Sequence, residues 1–171
     1  MHVLFVCTGN ICRSPTAERL AAASGAQRGL AQFETSSAGT RAVIGRPIHP
    51  DAAQVLHKLG GSHSDFAARQ LNLKIASAAD LILTMTREHR DAVLALAPQR
   101  LHRTFVLTEA ARLISDHGVR TVADLAAKRS TVNADDSLDI PDPIGQSPAV
   151  FAEIGTQIAH LLNPILDVCR D

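Results

Sequence analysis

Val3-Leu4-Phe5-Val6-Cys7-Thr8-Gly9-Asn10-Ile11-Cys12-Arg13-Ser14-Pro15 carries three signals in one unbroken run. The four apolar residues, two of them valine, read as a buried strand. Ser14 is a good N-cap, and Pro15 suits a first helical position, where its missing N–H has no intrahelical partner to lose. Between strand and helix the chain must turn sharply, and Gly9 and Asn10 tolerate the unusual φ/ψ such a turn needs. The amides from Thr8 through Gly9, Asn10, Ile11 and Cys12 to Arg13 and Ser14 can then converge as an anion nest over a helix N-terminus. A phosphoryl group suits that nest. The same peptide dipoles and Arg13 favour a thiolate at Cys7, and thiols so placed ionise at roughly 3.5–7.5 against ~8.5 when free. Cys7 is the candidate nucleophile, Arg13 the planar clamp for two phosphoryl oxygens, and the Ser14 hydroxyl a donor to the sulfur. A lone cysteine after a strand is commonly a small buried hydrophobe; Gly-Asn within the loop and Ser-Pro behind it favour the nucleophile. No G-x-x-x-x-G-K-[ST] occurs, so this is not a nucleotide phosphate loop.

The 171 residues suffice for one domain, 1–171, and not clearly for two. Seventeen basic and 17 acidic residues cancel, which argues against non-specific binding to nucleic acid or to a membrane surface. No apolar run approaches the ~18 residues of a membrane span. The cysteine loop starts too early for a signal peptide to precede it, and three cysteines do not make a disulfide framework. A cytoplasmic setting is expected. The eight histidines show no zinc-like pairing, and His57, His63, His89 and His102 are expected at the surface. Tyr and Trp are absent, so tyrosine phosphorylation cannot control this chain.

Outward from the loop, strands alternate with helices. A helix is expected from Pro15 to about Arg28, and a strand near Phe33–Ser36. A loop from Arg41 to His49 follows, with Gly39 and Gly45 giving it freedom. A helix opens at Pro50 with Ala53, Leu56 and Leu59 on its inner face, ended by Gly60-Gly61. A short helix over Leu71–Ala78 leads to a strand at Asp80–Met85. Thr86 caps a helix through Leu96. Thr104–Leu107 is a fourth strand and Thr108 caps the next helix. Thr121-Val122-Ala123-Asp124 has the form of a capping box. Arg129–Pro143 reads as a polar, acidic loop. Ser147-Pro148 starts a last helix with Phe151, Ile154, Ile158, Leu161, Ile165 and Cys169 on one face, which Pro164 should kink or end. The pattern predicts an α/β fold: a doubly wound, four-stranded parallel sheet with helices on both faces. Ligands of such sheets sit beyond the carboxyl ends of the strands, where the Cys7 loop lies.

Cleaving a phosphate ester also needs a proton for the leaving oxygen. Asp142, stiffened between Pro141 and Pro143, is either that general acid or part of a solvated acidic turn. Taken together, Val6–Pro15, Ser37-Ala38-Gly39-Thr40, Ala68-Arg69-Gln70, Asp80–Met85 and Asp139-Ile140-Pro141-Asp142-Pro143 resemble the low-molecular-weight protein tyrosine phosphatases over nearly the whole chain. The resemblance implies that Cys7 attacks phosphorus, that Arg13 and the loop amides hold the equatorial oxygens, and that Asp142 serves as acid and then base. It implies supporting roles for Ser37 and Asp139, no cofactor and no metal. The expected partner is a phosphotyrosine protein, including a bacterial tyrosine kinase, and the expected state a monomer or weak dimer. It allows a reversible disulfide between Cys12 and Cys7, or an inert Cys12 packed under the loop. It makes 117–136 an insertion.

Three positions depart from the family. Ile144 stands where an aromatic usually follows Asp-Pro, and Val43 falls where a second aromatic wall is common. Phe66 replaces a histidine that resembles a brace for the loop asparagine, leaving Asn10 to Ser14 and Ser37 alone. An aliphatic wall forgoes about 0.5–1.5 kcal/mol of stacking per aromatic pair. Phosphoarginine phosphatases are similar but carry threonine where this loop has Ile11, so phosphotyrosine is favoured. Arsenate reductases need two further cysteines, and Leu71–Arg112 contains none. A phosphoprotein-binding module without turnover is the remaining alternative.

Overall fold

Strand β1, His2–Cys7, is the centre of the architecture. It pairs in parallel with β2 (Glu34–Gly39) on one side and with β3 (Leu81–Thr84) on the other, and β3 pairs in parallel with β4 (Thr104–Val106). The order β2-β1-β3-β4 makes β1/β3 the point where the winding reverses. This arrangement comes from a computed structural model, which describes residues 1–131 and 138–170.

Alternation along β1 sorts the core into two layers. Val3, Phe5 and Cys7 face one side, with α1 (Arg13–Gln27), α2 (Pro50–Lys58), α5 (Leu107–His117) and α7 (Pro148–Val168) packed there. Leu4 and Val6 face the other, with Ile82, with Leu71 in the loop before α3 (Leu73–Ala78), with Ala76 of α3 and with Val93 of α4 (Arg87–Leu96). The doubly wound, four-stranded parallel sheet expected from the sequence is therefore the fold.

Several boundaries move. Helix α1 starts at Arg13 behind Cys12, so Ser14 lies inside the first turn and is not its cap. Pro15 still sits where the helix has no N–H bond to lose. Strand β2 runs on through Ser37-Ala38-Gly39, because Cys7 pairs with Gly39. Gly39 is required by contact rather than freedom: a Cβ there would lie 2.4 Å from the Thr8 carbonyl oxygen. The buried face of α2 is Ala52, Val55 and Leu56, while Leu59 is exposed. Helix α5 is capped from Val106, two residues before Thr108, with Glu109 Oε2 accepting the Val106 N–H at 3.0 Å. Helix α7 continues through Pro164 to Val168, its last turn anchored by buried Ile165, Leu166 and Val168. Its inner face takes buried Leu162 as well as Leu161, which packs partly buried against the core. Within Arg129–Pro143, Leu138 and Ile140 are buried, so that stretch is not a wholly solvated loop.

Of the segment 117–136, residues 132–136 lie outside the described residues. Before them, α6 (Val122–Lys128) starts on the expected capping box: Thr121 Oγ1 accepts the Asp124 N–H and Asp124 Oδ2 accepts the Thr121 N–H, both at 3.1 Å. Arg129 then clamps the segment to the body. Its Nε donates to Glu109 Oε1 (3.2 Å), Nη1 to the Leu101 carbonyl (2.8 Å) and Nη2 to the Thr104 carbonyl, with the guanidinium 4.1 Å from the Phe105 ring centroid. Burial pulls its pKa below the ordinary guanidinium range, and Glu109 opposes that pull. Arg129→Met would leave Glu109 buried without its cation. The expected loss is about 3 kcal/mol, read as a lower urea midpoint, and Glu109→Gln in the same chain should restore part of it.

Candidate active site

Asn10 organises the loop after β1. It takes the left-handed conformation (φ 57°), which asparagine tolerates better than most residues, whereas Gly9 does not. Its buried amide nitrogen donates to Ser14 Oγ (3.0 Å) and Ser37 Oγ (2.8 Å), and its Oδ1 accepts the Arg69 N–H (2.9 Å). The brace is therefore Asn10 with Ser14, Ser37 and the Arg69 backbone, not the two serines alone. His63 is exposed, and Phe66 lies under the Arg19 guanidinium at 5.6 Å.

The amide makes both serines acceptors, so each turns its own hydrogen outward. Ser37 donates to Glu18 Oε2 at 2.5 Å, and Ser14 Oγ lies 2.9 Å from Cys7 Sγ, a contact in which the hydroxyl is the donor once Cys7 is a thiolate. Glu18 is a part of the site that sequence reasoning did not single out, and Arg69, there only one residue of a matching motif, gains a role through its backbone. Glu18 lies one helical turn beyond Ser14 on α1, a spacing that places it beside the loop.

Cys7 is 2 % exposed and Arg13 4 %. Arg13 Nη1 donates to the Ile140 carbonyl (2.9 Å) and Nη2 to Asp142 Oδ2 (2.7 Å), while its buried Nε has no partner among the described residues. Asp142 Oδ1 accepts the Ile144 N–H at 3.2 Å. Asp139 Oδ1 accepts the Arg87 N–H at 2.8 Å, tying the loop of Asp142 to the start of α4. The residues expected to act together thus converge. Cys7, Arg13 and Asp142 share one cleft of about 240 Å³ with Ile11, Val43 and Ile144. A larger hollow of about 440 Å³, at Arg28–Ala31 and Cys169–Arg170, touches none of them.

Cys12 is buried at 4 %, and that burial, with the neighbouring Cys7 sulfur adding to it, pushes its thiol up to about 12. At neutral pH Cys12 is a thiol and a poor nucleophile. Cys7 and Cys12 are not joined by a disulfide.

His89 is not a surface residue. It lies 4 % exposed on α4, with Nε2 2.8 Å from Thr8 Oγ1 and Nδ1 unpartnered among the described residues. The periodicity of α4 hid it, because the phosphate loop rather than a hydrophobic neighbour covers it. Burial first, and then the Arg13 charge, lower its pKa to about 4. The sign follows directly: above pH ~6.5 both folded and unfolded chains hold it neutral, and below that only the unfolded chain takes up the proton. Stability should fall as pH drops from ~6.5 towards 4, by on the order of 3 kcal/mol in total. Urea midpoints measured at pH 7, 6, 5 and 4.5 should show a shallower decline for His89→Gln than for the parent chain.

Among the described residues no group of three or more His, Cys, Asp or Glu side chains could hold a metal ion, and no helix is long and apolar enough to cross a membrane. The family model described as low molecular weight phosphotyrosine protein phosphatase matches residues 2–118. The low molecular weight protein-tyrosine-phosphatase Wzb of Escherichia coli K12 is 30% identical over 155 residues, covering 91% of this chain and 86% of that protein. The solved low molecular weight protein tyrosine phosphatase from T. tengcongensis superposes with a TM-score of 0.77 at 29% identity, covering 96% of this chain and 97% of that one. The YwlE arginine phosphatase from Geobacillus stearothermophilus superposes at 0.74 and 27% identity, covering 96% and 90%. With a loop, fold and profile in agreement over most of its length, the chain belongs to the low molecular weight phosphotyrosine protein phosphatase family.

Proposed function

We propose that this chain hydrolyses phosphotyrosine in proteins through a phosphocysteine intermediate, acting as one phosphatase domain over 1–171 with 117–136 as an added segment. The observation that carries this reading is the constellation at Cys7. Its sulfur lies 2.9 Å from the Ser14 hydroxyl, and it shares one cleft with Asp142 and with buried Arg13, whose Nε has no partner among the described residues. Two steps follow. The Cys7 thiolate attacks phosphorus in line, the P–O bond to tyrosine breaks, and protonated Asp142 gives its proton to the departing oxygen. Water then attacks the phosphocysteine, Asp142 takes a proton from that water, and the P–S bond breaks to return the thiolate, which Ser14 stabilises. The loop amides and Arg13 hold the three equatorial oxygens, where charge accumulates. Both steps draw only on this chain and water.

Arg13 and Asp142 are paired at 2.7 Å, so an arriving phosphoryl group competes with the carboxylate for the guanidinium. Binding thereby frees Asp142 to turn to the leaving oxygen. Substrate recognition and proton delivery are coupled through one ion pair.

Among alternatives, phosphoarginine hydrolysis is favoured by the likeness to the arginine phosphatase fold. The apolar Ile11 facing the cleft offers no hydroxyl to a phosphoguanidinium and supports the aryl ester. An arsenate reductase reading lacks its two relay cysteines, and a binding module would not need Asp142 beside Cys7. Substrates in this reading are phosphotyrosine proteins, a tyrosine kinase among them. Parallel hydrolysis of one peptide series carrying phosphotyrosine or phosphoarginine tests it: faster release from phosphotyrosine is expected, and preference for phosphoarginine would overturn the choice.

A further inference from the structure

Apart from the Cys7 thiolate of the proposed reaction, the charged side chains around the cleft do not cancel. Arg13 and Asp142 neutralise each other, and the remaining charged residue of the lining is Arg41. Arg41 is exposed, and its guanidinium makes no hydrogen bond or ion pair among the described residues. Its field nevertheless reaches the buried His89 behind Thr8, where it helps to lower that residue's pKa.

Arg41 is also held in place by its backbone. Three bonds tie its loop to the phosphate loop: Thr40 N–H to the Cys7 carbonyl (2.9 Å), Arg41 N–H to the Thr8 carbonyl (3.0 Å) and Val43 N–H to the Gly9 carbonyl (3.0 Å). Gln70 clamps the outer side, accepting the Ala42 N–H at 2.9 Å and donating to the Thr40 carbonyl at 2.9 Å. The base of Arg41 therefore keeps a fixed offset from Cys7. A phosphorylated side chain seated on Cys7 would bring its own peptide flanks past that cation, with Val43 and Ile144 against the ring.

We propose that Arg41 selects substrates bearing a carboxylate side chain next to the phosphorylated residue, so that this enzyme prefers acidic phosphopeptides. The proposal rests on the phosphatase reading of Cys7. Arg41 adds no group to the chemistry; it binds the flank equally in ground state and transition state, so its effect belongs in KM. An exposed ion pair of this kind yields about a twofold to fivefold gain in kcat/KM, and salt should erode it. Arg46 supplies the internal control. It is an exposed arginine of the same loop, outside the lining of the cleft.

The test compares phosphotyrosine peptides flanked by Asp, Ala or Lys, with p-nitrophenyl phosphate as a substrate that has no flank. The parent chain should prefer Asp over Ala over Lys, through KM, at low ionic strength. Arg41→Gln should bring the Asp-to-Ala ratio close to one, Arg41→Lys should keep part of it, and Arg46→Gln should keep all of it. An Asp preference that survives in Arg41→Gln, or that Arg46→Gln abolishes equally, overturns the proposal. A parent chain that cleaves p-nitrophenyl phosphate without any flank preference overturns Arg41 selection alone. Failure to cleave p-nitrophenyl phosphate at all brings down the phosphatase reading and this proposal with it.

Discussion

Cys7→Ser should lower the turnover of an aryl phosphate by roughly five orders of magnitude, the scale on which removing a nucleophile disables a catalytic unit. Two causes act together. A serine hydroxyl in place of the thiol is not ionised at neutral pH, and the proposed P–S intermediate cannot form. The nest is untouched by the exchange, since Asn10, Ser14, Ser37 and the Arg69 N–H remain bonded to one another. Inorganic phosphate should therefore still protect the variant against unfolding. Cys12 cannot substitute, because its thiol is held near 12 and stays protonated. Iodoacetamide at neutral pH should accordingly label the parent at Cys7 and spare Cys12. Retention of more than about a tenth of the parent turnover by Cys7→Ser would remove the nucleophile from the mechanism.

Asp142→Ala should cost about 10²–10⁴-fold in kcat, the contribution of a positioned general acid. The loss should depend on the leaving group: large for phosphotyrosine, whose phenol leaves poorly without a proton, and smaller for p-nitrophenyl phosphate. A second consequence runs the other way. Asp142 occupies Arg13 at 2.7 Å before substrate arrives, so its removal frees a guanidinium N–H. Phosphate should bind the alanine variant at least as tightly as it binds the parent. A uniform loss across leaving groups, or weaker phosphate binding, would mean that Asp142 serves to hold Arg13 rather than to move a proton.

The side chains proposed as catalytic stand out in the sequence because each sits where chain direction changes, although the role of Asp142 comes from the family resemblance. Cys7 ends a strand, Arg13 starts a helix, and Asp142 lies between prolines. Capping chemistry was readable for the same reason, as at Thr86 and Thr121, whose partners are three residues away. Where the cap depended on a more distant pairing the reading failed. Cys12 rather than Ser14 precedes α1, because the serine hydroxyl is drawn to Cys7 and Asn10. On α2 the expected Leu56 is buried and Ala53 packs against the core, but Leu59 is exposed and Ala52 and Val55 are buried, because what counts as inside is set by α1 and α7, not by periodicity.

The sequence by itself determined the alternation of strands and helices and the strand–loop–helix run around Cys7, because those signals are confined to short runs of chain, while the link from Cys7 to the distant Asp-Pro segment comes only with the family resemblance. Only the tertiary structure revealed that His89 is buried against Thr8, that Glu18 ends the hydrogen-bond chain from Cys7, and that Arg41 lines the cleft without a bonded partner among the described residues. Burial and charge balance are sums over neighbours that are far apart in sequence, and they take a value only once the sheet has brought those neighbours together.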